Sequence, residues 1–258
     1  MVIFYTGIEG LEPTLVCYPY IVINPWSFSE GMRYIQICRD KVKSILIDTG
    51  VDKLFNYLKL RDYPDWYITQ YVQMVRRVAV TYGKHYEVYY VIPDIPCDYP
   101  GRKHLYPWNV QRTIEYIELF RSKYIDYLKP AKPIAVVQGR RDDIKSVIDT
   151  YHRYEHIYNE FEVIGLGPVC TTKKWSMLAN LIVAFDRNVS RPFHCFGAHI
   201  KAIEKAVKWR PRRWRSFDSS AYKYVNREGY RYAKSRKEIA ESFLRYVEKL
   251  KSLGIEVE

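Results

Sequence analysis

The chain has 258 residues, of which 48% are hydrophobic and 27% charged, so it can bury a sizeable core and is neither disordered nor fibrous. Its 41 Lys and Arg residues against 29 Asp and Glu residues give a formal net charge of +12, which is compatible with a polyanionic partner and with a solvated basic surface. No apolar stretch approaches the roughly 20 residues of a membrane span, and the N-terminus lacks a secretory signal, so we expect a soluble, cytoplasmic protein without a membrane partner.

Short β-branched runs alternate with longer amphipathic stretches along the whole chain. Strands are predicted at residues 2–5, 15–23, 44–47, 88–92, 134–137, 163–166, 193–196 and 214–217. Apolar residues at three- and four-residue spacing predict helices at 66–82, 108–128, 142–158, 173–185 and 198–209, with a final basic helix at 237–250. Such alternation implies parallel strands, and no GxGxxG motif follows the first strand. We therefore predict an α/β fold, a TIM-like (β/α)8 barrel that forms a single domain over residues 1–258, with an open doubly wound sheet as the alternative.

The cysteines are odd in number and widely scattered. This distribution argues against a disulfide framework, and no local spacing of ligands supports a zinc site. We therefore expect buried free thiols at all five positions, which are Cys17, Cys38, Cys97, Cys170 and Cys195.

Polar or glycine residues follow most of the predicted strands, in the segments IDTG, IPDIP, VVQGR, IGLGP, HCFG and SFDSS. In a closed parallel barrel the carboxyl ends of all strands face one rim, where active sites are built. Asp48 of IDTG and Asp218 of SFDSS would then lie at the same mouth. Two carboxylates across a cleft suit substitution at an anomeric carbon, where one attacks C1′ and the other transfers protons. The alternative is that Asp48 belongs to a β-turn and Asp218 caps a helix.

A second group of strand-end residues indicates recognition of a planar heterocycle. A carboxylate, a side-chain amide and the exposed backbone groups of the turn Gly165-Leu166-Gly167 can satisfy the donors and acceptors of such a ring. Alternatively, these residues only brace turns and end strands. The candidate base-binding residues are Asp94, Gln138, Gly139, Gly165, Leu166 and Gly167.

The order of these segments resembles the tRNA-guanine transglycosylase superfamily. The shared pieces are IDTG, a strand ending in Asp94 before a Pro-containing loop, AVVQG, VIGLG, HCFGAHIKAIEKAV and SFDSSAY, and they cover roughly residues 44–222. The resemblance implies an α/β barrel that exchanges guanine in a nucleic acid for a free 7-deazaguanine base without cutting the backbone. It implies that Asp218 is the nucleophile, that Asp48 is the general acid/base, and that the candidate base-binding residues hold the heterocycle.

The sequence also departs from this superfamily. Val51 stands in the IDTG loop where a second small residue is usual, and Arg140 follows VQG in place of a small residue. The tRNA enzymes carry a zinc subdomain after the nucleophile, whereas the last cysteine here is Cys195. The resemblance therefore favours the zinc-free branch that inserts 7-deazaguanines into DNA. We expect DNA rather than tRNA as the polymer, with no metal and no cofactor, and the oligomeric state stays open.

Basic residues surround Asp218 in the sequence, and we expect them to lie near the proposed site. Interleaved aromatic residues, including Trp209, could stack on a displaced base, and the basic side chains could neutralise phosphates, although charge runs are also typical of a solvated face. The predicted nucleic-acid-binding residues are Arg210, Arg212, Arg213, Arg215, Lys223 and Arg227.

Two other classes of function remain open at this point. A base-excising glycosylase or a nucleoside deoxyribosyltransferase would use the same carboxylates with a different acceptor. A non-catalytic nucleic-acid-binding protein could also be built on a barrel, because fold does not fix function.

Overall fold

A computed structural model describes residues 2–99, 103–140, 142–169, 174–223 and 232–258. Within these residues, eight parallel strands pair in chain order from β1 to β8, and β8 pairs with β1. This pairing closes the sheet, and helices cover its outside. The predicted TIM-like (β/α)8 barrel is therefore confirmed.

The barrel strands lie where the β-branched runs predict them, most of them with ends that differ by one or two residues, and the largest change is in β2. The predicted run 15–23 yields a strand only from Tyr20, because the preceding residues form turns such as the one closed by the hydrogen bond from Leu15 N to Glu12 O. The strands are β1 Val2–Gly7, β2 Tyr20–Ile23, β3 Ser44–Ile47, β4 Glu87–Val91, β5 Lys132–Val137, β6 Val163–Leu166, β7 Phe193–Cys195 and β8 Trp214–Ser219.

The helices follow the predicted amphipathic stretches, and two of those stretches divide. The chain breaks at Tyr124 and at Tyr154, so each of the predicted helices 108–128 and 142–158 becomes a long and a short helix. The helices are α1 Phe28–Ile37, α2 Asp65–Tyr82, α3 Tyr106–Lys123, α4 Ile125–Leu128, α5 Ile144–Arg153, α6 Glu155–Tyr158, α7 Trp175–Asn188, α8 Ile200–Ala206 and α9 Arg236–Ser252. Helix α1 and a π-helical segment, Asp52–Tyr57, were not predicted. Among the described residues, no helix combines the length and apolar character that crossing a bilayer requires.

The C-terminal segment, helix α9 and the short strand that follows it, packs against β1 where β1 is not paired with β2. The last two residues of β1, Thr6 and Gly7, pair with β2. Its first two residues, Val2 and Ile3, pair instead with a short last strand, β9 Ile255–Glu256. Helix α9 packs beside them through Phe243, whose ring lies 5.1 Å from that of Tyr18 and 5.0 Å from that of Tyr222. This basic helix therefore contributes its apolar face to the core.

Two cysteines form a disulfide, contrary to the expectation of free thiols. Cys17 lies in the loop before β2 and Cys38 directly follows α1, and their Cα atoms are 5.3 Å apart. The prediction was wrong because it did not include α1, which folds back and brings Cys38 beside the loop. Cys97 and Cys195 are buried thiols, and Cys170 lies outside the described residues.

Candidate active site

The carboxyl ends of the parallel strands bring three acidic side chains to one mouth of the barrel. Asp48 follows β3, Asp94 follows β4, and Asp218 lies near the end of β8. Their charges act on one another, because Asp218 raises the pKa of Asp48 and Asp48 raises the pKa of Asp94. The sequence-based placement of these residues at one rim agrees with this arrangement.

The Asp218 carboxylate is held through one of its two oxygens. Its Oδ1 accepts hydrogen bonds from His194 Nε2 at 3.1 Å and from the backbone N of Gly197 at 3.0 Å. Gly197 has a φ of +66°, a backbone conformation that favours glycine, and this conformation aims its N–H at the carboxylate. Among the described residues no hydrogen bond reaches Oδ2, and 27% of the side chain is exposed. The second oxygen therefore has no hydrogen-bond partner in the described part of the chain.

His194 is a buried site residue that the sequence analysis did not identify. Its Nδ1 lies 2.9 Å from Ser216 Oγ, and its side chain is enclosed by the rings of Tyr5 and Phe196. Because a carboxylate only accepts hydrogen bonds, we assign the ring proton to Nε2 and the donor role at Nδ1 to the serine hydroxyl. A polar residue inside an apolar strand, paired with Ser216 of the next strand, is the signal that could have revealed it.

Asp48 is oriented by the turn that follows β3. Its Oδ2 accepts a hydrogen bond from Gly50 N at 3.0 Å, and its backbone N donates to Ile23 O at 2.8 Å. Burial, followed by the charges of Asp218 and Glu9, raises the pKa of Asp48 to about 6. A carboxyl group with a pKa close to neutrality can both donate and accept a proton, which is the requirement for general acid/base chemistry.

Asp94 and Gln138 form a buried polar pair. Gln138 Nε2 donates to Asp94 Oδ2 at 2.5 Å, and Gln138 Oε1 accepts from Cys97 N at 3.3 Å. Burial raises the pKa of Asp94 to about 7, and the charges of Asp48 and Asp98 add to this rise, while the hydrogen bond from Gln138 opposes it. A carboxylate and an amide fixed together in this way can present donors and acceptors to a polar ring.

The glycines of the predicted base-binding turn provide space rather than exposed backbone. Gly165 and Leu166 belong to β6, and Gly167 N donates to Val137 O at 3.1 Å, so these backbone groups serve the barrel. A Cβ at Gly165 would lie 2.6 Å from Phe196 Cε2, and one at Gly167 would lie 2.5 Å from Gln138 Nε2. The expectation of an exposed turn is therefore corrected. These glycines instead let Phe196 and Gln138 approach the strand.

The remaining two residues of the predicted base-binding set contact the protein interior. Leu166 is fully buried, and its carbonyl accepts a hydrogen bond from Phe196 N. Gly139 packs against α5, where a Cβ would lie 2.4 Å from Val147 Cγ2. Gly139 therefore fits close packing between the end of β5 and helix α5.

The basic residues that precede Asp218 in the sequence lie at the other end of the barrel. Arg210, Arg212 and Arg213 belong to the loop between α8 and β8, which enters the strand at its amino end. Arg215 pairs with Glu162 at 3.2 Å and donates to Tyr89 Oη at 2.7 Å. The expected position beside Asp218 is therefore wrong for these four residues, because the length of β8 separates them from its carboxyl end.

The two predicted basic residues after Asp218 differ in their placement. Lys223 lies on the mouth side but is only 7% exposed, and its Nζ is 3.5 Å from Glu9 Oε2. Its charge is thus balanced by Glu9 within the protein rather than presented to a phosphate. Arg227 lies outside the described residues.

The described residues contain no cluster of three or more His, Cys, Asp or Glu side chains that could hold a metal ion. The polar side chains described at the mouth include carboxylates, an imidazole and an amide. Comparison with protein-family models finds no family that matches this chain, and a search of curated proteins finds no match.

Proposed function

We propose that the protein is a guanine transglycosylase that exchanges guanine in a nucleic acid for a 7-deazaguanine derivative, with DNA as the preferred polymer. The observation that carries the proposal is the Asp218 carboxylate, which is held through Oδ1, has no hydrogen bond to Oδ2 from the described residues, and helps to raise the pKa of Asp48 to about 6. The order of the strand-end motifs supports the same reaction class.

The first half of the proposed reaction releases guanine. The target nucleotide leaves the helical stack so that its sugar reaches the mouth. Asp218 Oδ2 attacks C1′ while the bond from C1′ to N9 breaks, and the electron pair of that bond goes to the base. Asp48 in its protonated form supplies a proton to the departing guanine. The products are free guanine, ionised Asp48 and a glycosyl ester on Asp218.

The second half attaches the new base. The incoming 7-deazaguanine loses its N9 proton to ionised Asp48, its N9 attacks C1′, and the ester bond to Asp218 breaks. Asp48 is protonated again and Asp218 is again a free carboxylate, so the cycle is closed. Two inversions retain the configuration at C1′.

The buried pair of Asp94 and Gln138 is proposed to hold the base in both halves. Ionised Asp94 accepts hydrogen bonds from neighbouring N–H groups such as those on the guanine edge, and Gln138 keeps the carboxylate in place. A site built around buried polar groups rejects rings that leave these groups unpaired. We therefore expect the site to select guanine-like bases over pyrimidines.

The test is an exchange assay with radiolabelled guanine and, separately, duplex DNA, single-stranded DNA and tRNA. The wild-type protein should incorporate label into DNA more than into tRNA. Asp218→Asn should lower exchange by about a thousandfold or more, because the nucleophile is lost. Asp149→Asn, which changes an exposed carboxylate on α5, should leave exchange unchanged.

The products distinguish the proposal from its rivals. Release of guanine without incorporation would identify a base-excising glycosylase, and transfer between free nucleosides would identify a deoxyribosyltransferase. Nucleic-acid binding without any bond exchange, equal in the wild-type protein and Asp218→Asn, would identify a non-catalytic binding protein.

A further inference from the structure

The amino-terminal end of the barrel carries a dense cluster of exposed cations that the proposed reaction does not use. Its members come from the end of α7 and from the residues before and after Trp209 between α8 and β8, and Trp209 itself is 65% exposed. We call this cluster the distal basic patch. The cations are Arg187, Lys208, Arg210, Arg212 and Arg213, all of which are exposed.

The distal basic patch keeps a net positive charge. Among the described residues, none of its five cations forms a salt bridge. The nearby carboxylate of Asp186 instead accepts hydrogen bonds from the backbone N of Arg213 at 2.5 Å and of Trp214 at 3.2 Å. This acid anchors the loop and leaves the arginine side chains available for an external anion.

The patch is built on a defined backbone. Arg210 adopts a left-handed conformation with a φ of +49°, which ends the turn that contains Trp209. The Arg187 guanidinium lies 5.6 Å from the centre of the Trp209 ring, a cation–π arrangement. The aromatic ring and the surrounding charges are therefore presented on one surface.

This surface is remote from the catalytic mouth. Arg213 and Asp218 stand near opposite ends of β8, about 16 Å apart at about 3.3 Å per residue of strand. The ring of helices lies outside the barrel, so a bound polymer reaches both places only by running around the exterior. The distal basic patch therefore cannot contact the phosphates of the nucleotide whose base is exchanged.

We propose that the distal basic patch is a second nucleic-acid site, which binds single-stranded DNA away from the reacting nucleotide. The arginine and lysine side chains contact phosphates, and Trp209 stacks on a base. A single aromatic ring among arginines fits an unpaired strand better than a lipid surface, because an interfacial membrane site needs a broad apolar face. The choice of nucleic acid over other polyanions rests on the proposed function.

The experiment measures binding of a fluorescent single-stranded DNA of about 30 nucleotides over a range of salt concentrations. The combined variant Arg210→Gln, Arg212→Gln and Arg213→Gln should bind about tenfold or more weakly at 0.15 M salt. Its slope of log affinity against log salt should be shallower by about 2, since each lost phosphate contact contributes about 0.7. Trp209→Ala should weaken binding several-fold and leave the slope unchanged, because stacking does not release counterions.

The matched control removes the same charge elsewhere. Lys123→Gln, Lys145→Gln and Arg245→Gln change three exposed cations on α3, α5 and α9 and should have little effect on affinity or slope. An equal loss of affinity in both combined variants would overturn the proposal, because it would show a response to net charge alone. Unchanged binding in the patch variant would overturn it as well.

Two further arms separate this inference from the proposed function. Base exchange on an oligonucleotide of about six residues, too short to reach around the barrel, should be the same in the patch variant and the wild type. If the short substrate is exchanged normally while the patch variant binds the long strand as well as the wild type, only the distal site is rejected. Patch-dependent binding to phosphatidylserine vesicles, with DNA binding unaffected, would assign the surface to a membrane and reject the nucleic-acid site.

Discussion

At the scale of single residues, the central feature is that the hydrogen bonds from the described residues to the Asp218 carboxylate all reach one of its two oxygens. His194 and Gly197 both donate to Oδ1, so the carboxylate is oriented without losing the lone pairs of Oδ2. The serine hydroxyl on the other side of the imidazole fixes its tautomer. His194 is therefore a positioning residue, since it acts on the substrate only through Asp218.

Replacement of His194 tests this role. His194→Leu removes a charge-assisted hydrogen bond, which is worth about 1.5 to 3 kcal/mol, and should lower kcat of exchange about 10- to 100-fold with little change in KM for the free base. His194→Gln retains a donor and should recover part of kcat. His156→Leu, an exposed histidine on α6, is the control and should behave as wild type. A folded His194→Leu protein with normal kcat would contradict the assignment.

Asp94 makes a testable contribution to stability. Its pKa is raised from 3.8 to about 7, so between these pH values the folded protein holds a proton that the unfolded chain has released. Folded-state stability is thus lost as pH rises through this window. Asp94→Asn removes that loss while its amide oxygen still accepts from Gln138, so the variant should be more stable than wild type at pH 8 by up to about 4 kcal/mol, at about 1.36 kcal/mol for each unit of the pKa difference.

The measurement is urea unfolding of both proteins at several pH values. The advantage of Asp94→Asn should disappear below about pH 4, where the carboxyl is protonated in both folded and unfolded states. Asp149→Asn, at an exposed position, should show no such dependence. If the wild-type protein has the same free energy of unfolding as the variant at pH 8, ionisation of Asp94 does not destabilise the folded state, and the prediction is wrong.

At the scale of elements, strands β4 and β5 position the base-binding pair of Asp94 and Gln138, and Gly167, directly after β6, packs against Gln138. Gly167→Ala would place a Cβ 2.5 Å from Gln138 Nε2, so the amide must move away from Asp94. We expect KM for the free base to rise about tenfold or more, with a loss of stability of about 1 to 3 kcal/mol. Exchange kinetics and thermal unfolding measure the two effects.

Gly7→Ala is the matched control for this substitution. Gly7 ends β1 on the same rim, and a Cβ there would meet no atom within 4 Å. The control should therefore keep its KM. If Gly167→Ala also keeps its KM, the pairing of Gln138 with Asp94 is not needed to hold the base.

The elements also show which parts of the fold are readable from sequence. The barrel strands are predictable because parallel strands buried on both faces are short, continuous apolar runs, as in Ser44–Ile47. Helix α1 is not, because it is short and contains Gly31, which lowers helix propensity. The structure explains this glycine, since a Cβ there would lie 2.6 Å from Ile23 Cγ2. The missed helix is also the reason that the disulfide of Cys38 was missed.

At the scale of the whole molecule, the two ends of the barrel have different compositions. The carboxyl end gathers Asp48, Asp94 and Asp218, whereas Arg215 with its glutamate partners lies toward the amino end and the distal basic patch lies beyond it. This division follows from the parallel topology, because loops that precede strands and loops that follow them reach opposite rims.

The same topology explains where the sequence-based site prediction succeeded and where it did not. The three acidic residues follow strands or lie near their carboxyl ends, and in a parallel barrel all these ends face one rim. They therefore come together although up to 170 residues separate them in the chain. The arginines were placed beside Asp218 because they are close to it in sequence, yet a strand lies between them. His194 was missed because its role depends on the pairing of β7 with β8, and a polar residue within an apolar strand does not by itself identify its partner.

The most direct test of the account is to look for the covalent intermediate. The wild-type protein, incubated with single-stranded DNA and then denatured without added base, should give a protein–DNA adduct, and peptide mass spectrometry should locate the sugar ester on Asp218. The adduct should disappear when 7-deazaguanine is added before denaturation, because the incoming base displaces the carboxylate. Exchange that proceeds with no adduct, or an adduct that persists in Asp218→Asn, would contradict the central claim.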